Sequence, residues 1–469
     1  MNRVPQPTTA PSIPRASVLE CGTPVPLFIL LFFLISMFAL VSAPAATNHV
    51  FLMDLPAALQ LAGAKSLDIQ IARERLAEAQ ASRESALWNF LPFLSPGMSY
   101  RRHDNLIQTV EGRMIEVETD SYSVGPSLSA QLDIGDALFK ELAARQLVKA
   151  ADFALESQRQ ESLALAARGY FELARAAAAI AVARESVAIS TNYAAQLEQA
   201  VGAGIAFKGD LLRVQVEAEK NRQLLRQAAE LEQTAAAQLI QLLHLDPLVQ
   251  LAPKSTELVP LQLTETNATL DSLVQQALST RPELREASSR VAAARETRSG
   301  VTYGPLIPSA GAQVFAGGLG GSMSGHTGTF GESEDYAFTL GWRIGPGGLF
   351  DRSRERLAES RLNLEQLSRE KLKDVITRQV LETQNHLQSV VDQLAIARRA
   401  QDSARQTLEL TRQRRELGVG IVLENIQAEQ ELTRARLELL NLIAEHNKAQ
   451  FALRRAIGSV PSKANDVSN

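Results

Sequence analysis

The feature that most constrains this chain is that its 469 residues contain one unit written twice. Asp54-Leu-Pro-Ala-Ala-Leu-Gln-Leu-Ala62 opens the first copy, and Asp271-Ser-Leu-Val-Gln-Gln-Ala-Leu278 opens the second. Leu91-Pro92 recurs as Ile307-Pro308, and Ile134-Gly135 as Ile344-Gly345. Gly204-Ile-Ala-Phe-Lys-Gly-Asp210 matches Gly418-Val-Gly-Ile-Val-Leu-Glu424, and Ala237-Gln238-Leu239 matches Ala449-Gln450-Phe451. The matching pairs keep a separation of a little over two hundred residues. That period is far longer than a solenoid repeat, so the chain is a duplicated half-protein rather than an array.

Each copy follows one order of elements. A first helix is expected over 54–88 and again over 271–298, ended by Pro92 and by Pro305 and Pro308, because proline cannot continue a helix. A β-hairpin follows, at 95–134 in the first copy and 309–344 in the second, with arms at 95–103 and 121–134, then 309–317 and 336–344. Tyr336, Phe338, Leu340 and Trp342 alternate with small or polar residues. This period of two places the large side chains on one face of a strand. A long helix comes next. Ala137 to Ala200 holds no proline and a single glycine, and Leu349 to Leu417 holds neither. At 1.5 Å per residue each spans about 100 Å. Leu387, Val390, Leu394 and Ala397 step by three and four, the seam spacing of coiled coils. A glycine turn and a return helix (210–245; 423–457) close each unit.

The N-terminus reads differently. Leu27 to Val41 is an apolar run, preceded by Arg3 and Arg15 and followed by Val41-Ser-Ala-Pro-Ala-Ala46. Basic flank, apolar stretch and small residues together make an export signal over 1–46; an uncleaved anchor is the other reading, although the run is short for a membrane span. The domain scheme is then a signal peptide at 1–46, a first repeat at 47–245, a connecting segment at 246–270, a second repeat at 271–458 and a tail at 459–469.

Composition removes several function classes. One cysteine, Cys21, lies ahead of the apolar run, so neither a disulfide framework nor a cysteine-based zinc site is available. The net charge of −4 lacks the basic footprint of a nucleic-acid binder. The six histidines (His49, His103, His244, His326, His386, His446) are scattered, and none pairs at helical spacing. The Gly317–Ser322 stretch lacks the Lys-Ser/Thr of a phosphate loop and reads as a flexible loop at the outer end of a hairpin. Glu332-Ser-Glu334-Asp335 reads as a solvated loop. Arg352-Ser-Arg354-Glu-Arg356 and Arg412-Gln-Arg414-Arg415 read as charged faces of a coiled coil. No nucleophile stands beside a plausible base, so no enzyme, metal or cofactor is expected.

Four strands cannot close a membrane barrel, whose smallest members have eight. An open sheet edge cannot sit in lipid. Either the hairpins stay out of a membrane or several chains contribute strands to one barrel, and three chains would give twelve.

With the Leu55–Ala62 opening, the Arg281-Pro282-Glu283-Leu284 segment and this order of elements in duplicate, the sequence resembles the TolC-like outer-membrane efflux protein family across 47–458. The resemblance implies a mainly α chain with a small β part: a homotrimer in which a twelve-stranded outer-membrane barrel continues as a periplasmic α-helical tunnel. It implies a passive duct of a tripartite efflux system in the outer membrane of a Gram-negative-type cell. A periplasmic adaptor would couple the duct to an inner-membrane pump or transporter. It further implies that the tips at 203–210 and 417–424 dock the adaptor through Gly204, Ile205, Asp210, Gly418 and Gly420. Glu424 and Gln427 match positions that ring the entrance with acids in some family members; the second is not acidic here. Tyr336, Phe338 and Trp342 would face lipid. Two other classes share parts of this pattern, a periplasmic coiled-coil adaptor and a structural protein without channel activity. Adaptors carry one hairpin between β-rich domains, and an uninterrupted rod would lack the paired proline breaks.

Overall fold

The computed structural model describes residues 50–91, 93–263, 269–323, 328–417 and 419–460. The export signal, Pro92, Gly418, His49, His326 and the tail beyond Val460 lie outside the described residues, as does part of the connecting segment.

Strand β1 (Val50–Met53) leads into α1 (Leu55–Lys65) and α2 (Leu67–Trp88). Strands β2 (Phe93–His103), β3 (Leu106–Gln108), β4 (Met114–Glu116) and β5 (Thr119–Leu132) follow. Helix α3 (Ile134–Gly202), helix α4 (Lys208–Leu242) and strand β6 (Gln250–Pro253) complete the first half. The second half contains α5 (Leu270–Thr280), α6 (Pro282–Tyr303), β7 (Ser309–Met323), β8 (Thr329–Gly341), α7 (Arg352–Glu416) and α8 (Val422–Ala456). The duplication is visible in the helix lengths: 11 and 11, 22 and 22, 69 and 65, 35 and 35 residues.

The single helix expected at the start of each half is broken into two. Asp54 caps α1, accepting from the Ala57 N–H at 2.9 Å, the ordinary use of a short acid at a helix start. The helix stops at Ser66, whose backbone turns extended (ψ 126) and whose hydroxyl lies 3.3 Å from that of Ser162 on α3. In the second half the break falls at Arg281, ahead of Pro282. A residue before proline is pushed out of the helical region by the ring, so here the local sequence enforces the break.

The core is strung along the helices. Helix α3 packs against α1, α2, α4, α6 and α8, and α7 packs against α5, α6 and α8. Alanines make the close approach possible: Ala166, Ala167, Ala174 and Ala176 on α3 are all buried. The largest cluster gathers Met53, Leu59, Leu173, Leu239 and Phe451, and a second joins Leu273, Ile376, Val380 and Leu453. Both lie where α1 and α5 cross the long helices. Strands β1 and β6 pair in parallel beside the first cluster, Val50 opposite Gln250.

One antiparallel sheet of order β2-β5-β7-β8 joins the halves, with Ser127 opposite Phe315 at the β5–β7 seam. The hairpin arms differ from their expected bounds. Strand β7 runs on through Gly317–Ser322 to Met323, and β8 begins at Thr329, so Glu332-Ser-Glu334-Asp335 is strand rather than loop. Side-chain volume explains the glycines. A Cβ on Gly318 would strike the Phe330 ring, and one on Gly320 would strike Tyr122. Those two rings lie flat over the glycine backbone, stacked with centroids 5.8 Å apart. Glycine inside a strand marks such a close approach. At the other end β8 stops at Gly341. Ile344 instead forms an isolated bridge to Leu349 around Gly345, whose φ is +104.

Candidate functional site

The sheet register sorts its side chains into two unlike faces. Leu94, Leu128, Val314 and Tyr336 lie opposite one another in a single row, as do Met98, Val124, Gly318 and Glu332. The same face carries Tyr100, Tyr122, Phe330, Phe338 and Leu340, and also Glu334, whose carboxylate accepts from the Tyr336 hydroxyl at 2.9 Å, so it is largely rather than wholly apolar. Phe338 and Leu340 are 77% and 70% exposed in the single chain. Trp342 lies just past the end of β8, and its indole N–H donates to the Leu306 carbonyl at 3.1 Å. The opposite face is mostly small and polar, with Ser95, Ser99, Ser121, Ser123, Ser127 and Ser129 among its members, but it also holds Phe315 opposite Ser127 and Leu319 opposite Ser123. Ser99 and Ser123 are 2.8 Å apart, and the Ser127 hydroxyl donates to the Ser95 carbonyl at 3.0 Å.

From Tyr122 to Leu132 the apolar band covers about 35 Å of strand, and a tilt near 40° reduces its height to about 25 Å. Among the described residues no helix is long and apolar enough to cross a membrane. Strands β2 and β8 each keep one edge unpaired among the described residues.

The far ends of the long helices form two tips. In the first, Gly204 takes φ +76 and the Ile205 and Ala206 N–H groups donate to the Ala200 carbonyl at 2.9 and 3.3 Å. Such a left-handed residue closes a helix end, and only glycine takes it without strain. Ile205 and Phe207 then project, 83% and 71% exposed. Asp210 sits in the first turn of α4, paired with Arg213 at 3.2 Å. In the second tip the Val419 and Gly420 N–H groups both donate to the Arg414 carbonyl at 3.1 Å. Leu417, Val419, Ile421 and Leu423 are exposed there. Glu424 lies in the first turn of α8, 3.3 Å from the Arg414 guanidinium, and Gln427 is exposed one turn on.

Around these tips the structure assembles a polar layer that sequence spacing does not single out. The Arg415 guanidinium lies 4.6 Å over the Tyr193 ring, and Arg412 approaches Glu429 at 3.8 Å. Gln430 donates to buried Glu217 at 2.6 Å, Ser186 and Thr433 hydroxyls meet at 3.0 Å, and Arg436 pairs with Glu185 at 2.9 Å. Burial pushes the Glu429 carboxyl up from its ordinary range, and nearby Glu217 adds to the rise. Asn425, Arg412 and Arg415 only partly offset it. The one sequence signal for this layer is polar residues recurring on the inner stripe of coiled-coil helices.

Nearer the middle of the molecule a second network binds four helices. Arg455 of α8 contacts Glu283 of α6 and pairs with Glu161 of α3 at 3.0 Å. Arg281 meets Glu283 at 3.2 Å and donates to Gln379 of α7 at 2.6 Å. Burial alone would raise the Glu283 carboxyl, but Arg455 and Arg281 override it and hold the group at about 2. Among the described residues no group of three or more His, Cys, Asp or Glu side chains is placed to hold a metal ion.

The outer membrane efflux protein family model matches residues 58–244 and again 273–459, one match per half. The chain belongs to the outer membrane efflux protein family. This is a family of channels, and membership places the protein in the outer membrane, extending into the periplasm. Solved structures share the fold. A membrane protein from Pseudomonas aeruginosa superposes with TM-score 0.73 at 22% identity, covering 87% of this chain and 93% of that one. The CmeC outer membrane channel of Campylobacter jejuni gives 0.71 at 15%, covering 86% and 85%. The outer membrane protein VceC of Vibrio cholerae gives 0.70 at 18%, covering 87% and 96%. No curated protein is similar at a significant level. The doubled match is the duplication itself, and the TolC-like resemblance of the sequence is thereby established.

Proposed function

We propose that three copies of this chain form the outer-membrane duct of a tripartite efflux system. The observation that carries this reading is the four-stranded sheet, with one largely apolar face, one serine-rich face and open edges at β2 and β8. Edges must be paired in lipid. Joining β8 of each copy to β2 of the next gives twelve strands with no edge left over. The face of Tyr336 and Phe338, with Trp342 at its inner rim, then meets lipid, and the serine face lines water. Below the barrel the helices continue as a tunnel of about 100 Å. The tips at 203–210 and 417–424 form its periplasmic entrance. Their exposed apolar side chains, Ile205, Phe207, Val419 and Ile421, together with Gly204, Gly418 and Gly420 of the tips, dock a periplasmic adaptor. That adaptor links the duct to an inner-membrane pump. Residues 1–46 act as the export signal and are removed.

Membrane fractionation followed by chemical crosslinking tests the reading. Recovery from the outer membrane as a band of three chains is expected. Recovery as a soluble periplasmic monomer would overturn it.

A further inference from the structure

The entrance carries an unexpected charge balance. An acid ring made by copies of Glu424 would focus a negative potential on the constriction and favour cations. In the structure Glu424 does not stand alone. The Arg414 carbonyl takes both the Val419 and Gly420 N–H groups. This pins the last turn of α7 against the first turn of α8 and sets the Arg414 guanidinium 3.3 Å from the Glu424 carboxylate. The two neighbouring arginines are engaged elsewhere, Arg415 on the Tyr193 ring and Arg412 beside Glu429. Arg414 is therefore the cation committed to Glu424. The position one turn on, where a second acid would reinforce the ring, is Gln427. In the other tip Asp210 occupies the place of Glu424 and is matched by Arg213 on its own helix at 3.2 Å. Glu424 and Asp210 thus each have a counter-cation, and these two pairs contribute no net charge however many copies assemble; Glu416, exposed at the end of α7, has no ion pair among the described residues and is common to every variant below.

We propose that Arg414 is a selectivity-determining residue of the entrance: by pairing with Glu424 it cancels the acid ring, so that anionic and neutral solutes pass as readily as cations. The proposal rests on the duct reading above and on these tips forming its entrance. Its physical basis is the short range of a paired charge. An ion several ångströms away senses a compensated dipole instead of a monopole, and salt shortens that reach further, since the Debye length falls from about 10 Å at 0.1 M to about 3 Å at 1 M.

The test is the reversal potential of the purified full-length channel in planar bilayers under a KCl gradient, with crosslinking to verify assembly of each variant. Wild type is expected to be weakly selective. Arg414→Gln should raise the cation-to-anion permeability ratio severalfold, more at low salt than at high salt, while Arg414→Lys should keep the wild-type ratio. Glu424→Gln should swing the channel towards anions, because Arg414 is then uncompensated, and the double variant should return to the wild-type value. A shift in Glu424→Gln that stops at no selectivity, or an unchanged ratio in Arg414→Gln, overturns the role of Arg414 and leaves the entrance reading standing. If neither Glu424→Gln nor Arg414→Gln moves the ratio, the assignment of these tips to the entrance is itself overturned. The Glu424→Gln arm alone decides the matter should Arg414→Gln fail to assemble.

Discussion

At the residue scale, Glu283 carries the clearest electrostatic signature in the molecule. Its carboxyl is held at about 2 against an ordinary 4.5 because Arg455 and Arg281 outweigh its burial. A carboxylate whose folded pKa lies below its unfolded one contributes stability above the unfolded value and loses it as pH falls through the folded one. The window is therefore from about 4.5 down to about 2, and the contribution is about 3 kcal/mol. Thermal melting of the purified protein from pH 6 to pH 2 should show this loss, and Glu283→Gln should flatten that part of the profile. At neutral pH Arg455→Met should lower stability by about 3 kcal/mol, because it leaves a buried carboxylate short of a partner. A melting temperature unchanged in Arg455→Met would show that the network contributes nothing net. The Arg-Pro-Glu-Leu segment was visible in the sequence as a family-like element. That its glutamate meets Arg455 from the far end of the chain was not, because 172 residues separate the partners.

At the scale of elements, the tips and strands obey different local rules. Gly204 is at φ +76, which a branched side chain adopts only with strain of roughly 1–2 kcal/mol. Gly204→Val should therefore distort the α3–α4 turn and move Ile205 and Phe207. Loss of adaptor capture with crosslinked assembly intact is the expected result; full capture by the variant would remove this tip from the docking surface. The expected helices of the sequence reading agree with the long elements within a few residues, since an unbroken run free of proline leaves the backbone little alternative. Period-two patterning marks the second arm of the second hairpin at 336–344 but misses the glycine-rich half of β7, because glycine has no side chain to alternate. Tyr122 and Phe330 supply the missing bulk from neighbouring strands, and only the register brings them there. The single helix expected over 271–298 runs through Pro282, the local cause of the break at Arg281, whereas no proline follows Ser66 and the break there leaves no such local trace.

At the scale of the whole molecule, the two faces of the sheet make opposite demands on substitution. Phe338→Arg places a charge on the lipid-facing side, level with Ala130 between midplane and inner rim, where the cost lies between the about 2–4 kcal/mol of the midplane and the about 0–1 kcal/mol of the interface. Ser127→Arg, on the serine face, meets water in the proposed barrel. Recovery of crosslinked assemblies from the outer membrane should fall for Phe338→Arg and stay near wild type for Ser127→Arg. Equal recovery of the two would argue against a lipid-facing and a water-facing side.

By itself the sequence determined the duplication, the long helices, the presence of a strand minority too small to close alone, and the family. The helices and the strand minority follow from local chemistry, proline and glycine placement and hydrophobic period; the duplication follows from matching the two halves, and the family from the resemblance of their motifs. Only the tertiary structure decided which side chains share a sheet face, where β7 ends, and how charges are matched at the tips and the middle. The reason is physical. Pairing of Arg414 with Glu424 depends on how the ends of α7 and α8 meet, and pairing of Glu283 with Arg455 depends on helices distant in the chain being packed side by side. Neither geometry is written in the period of any one segment.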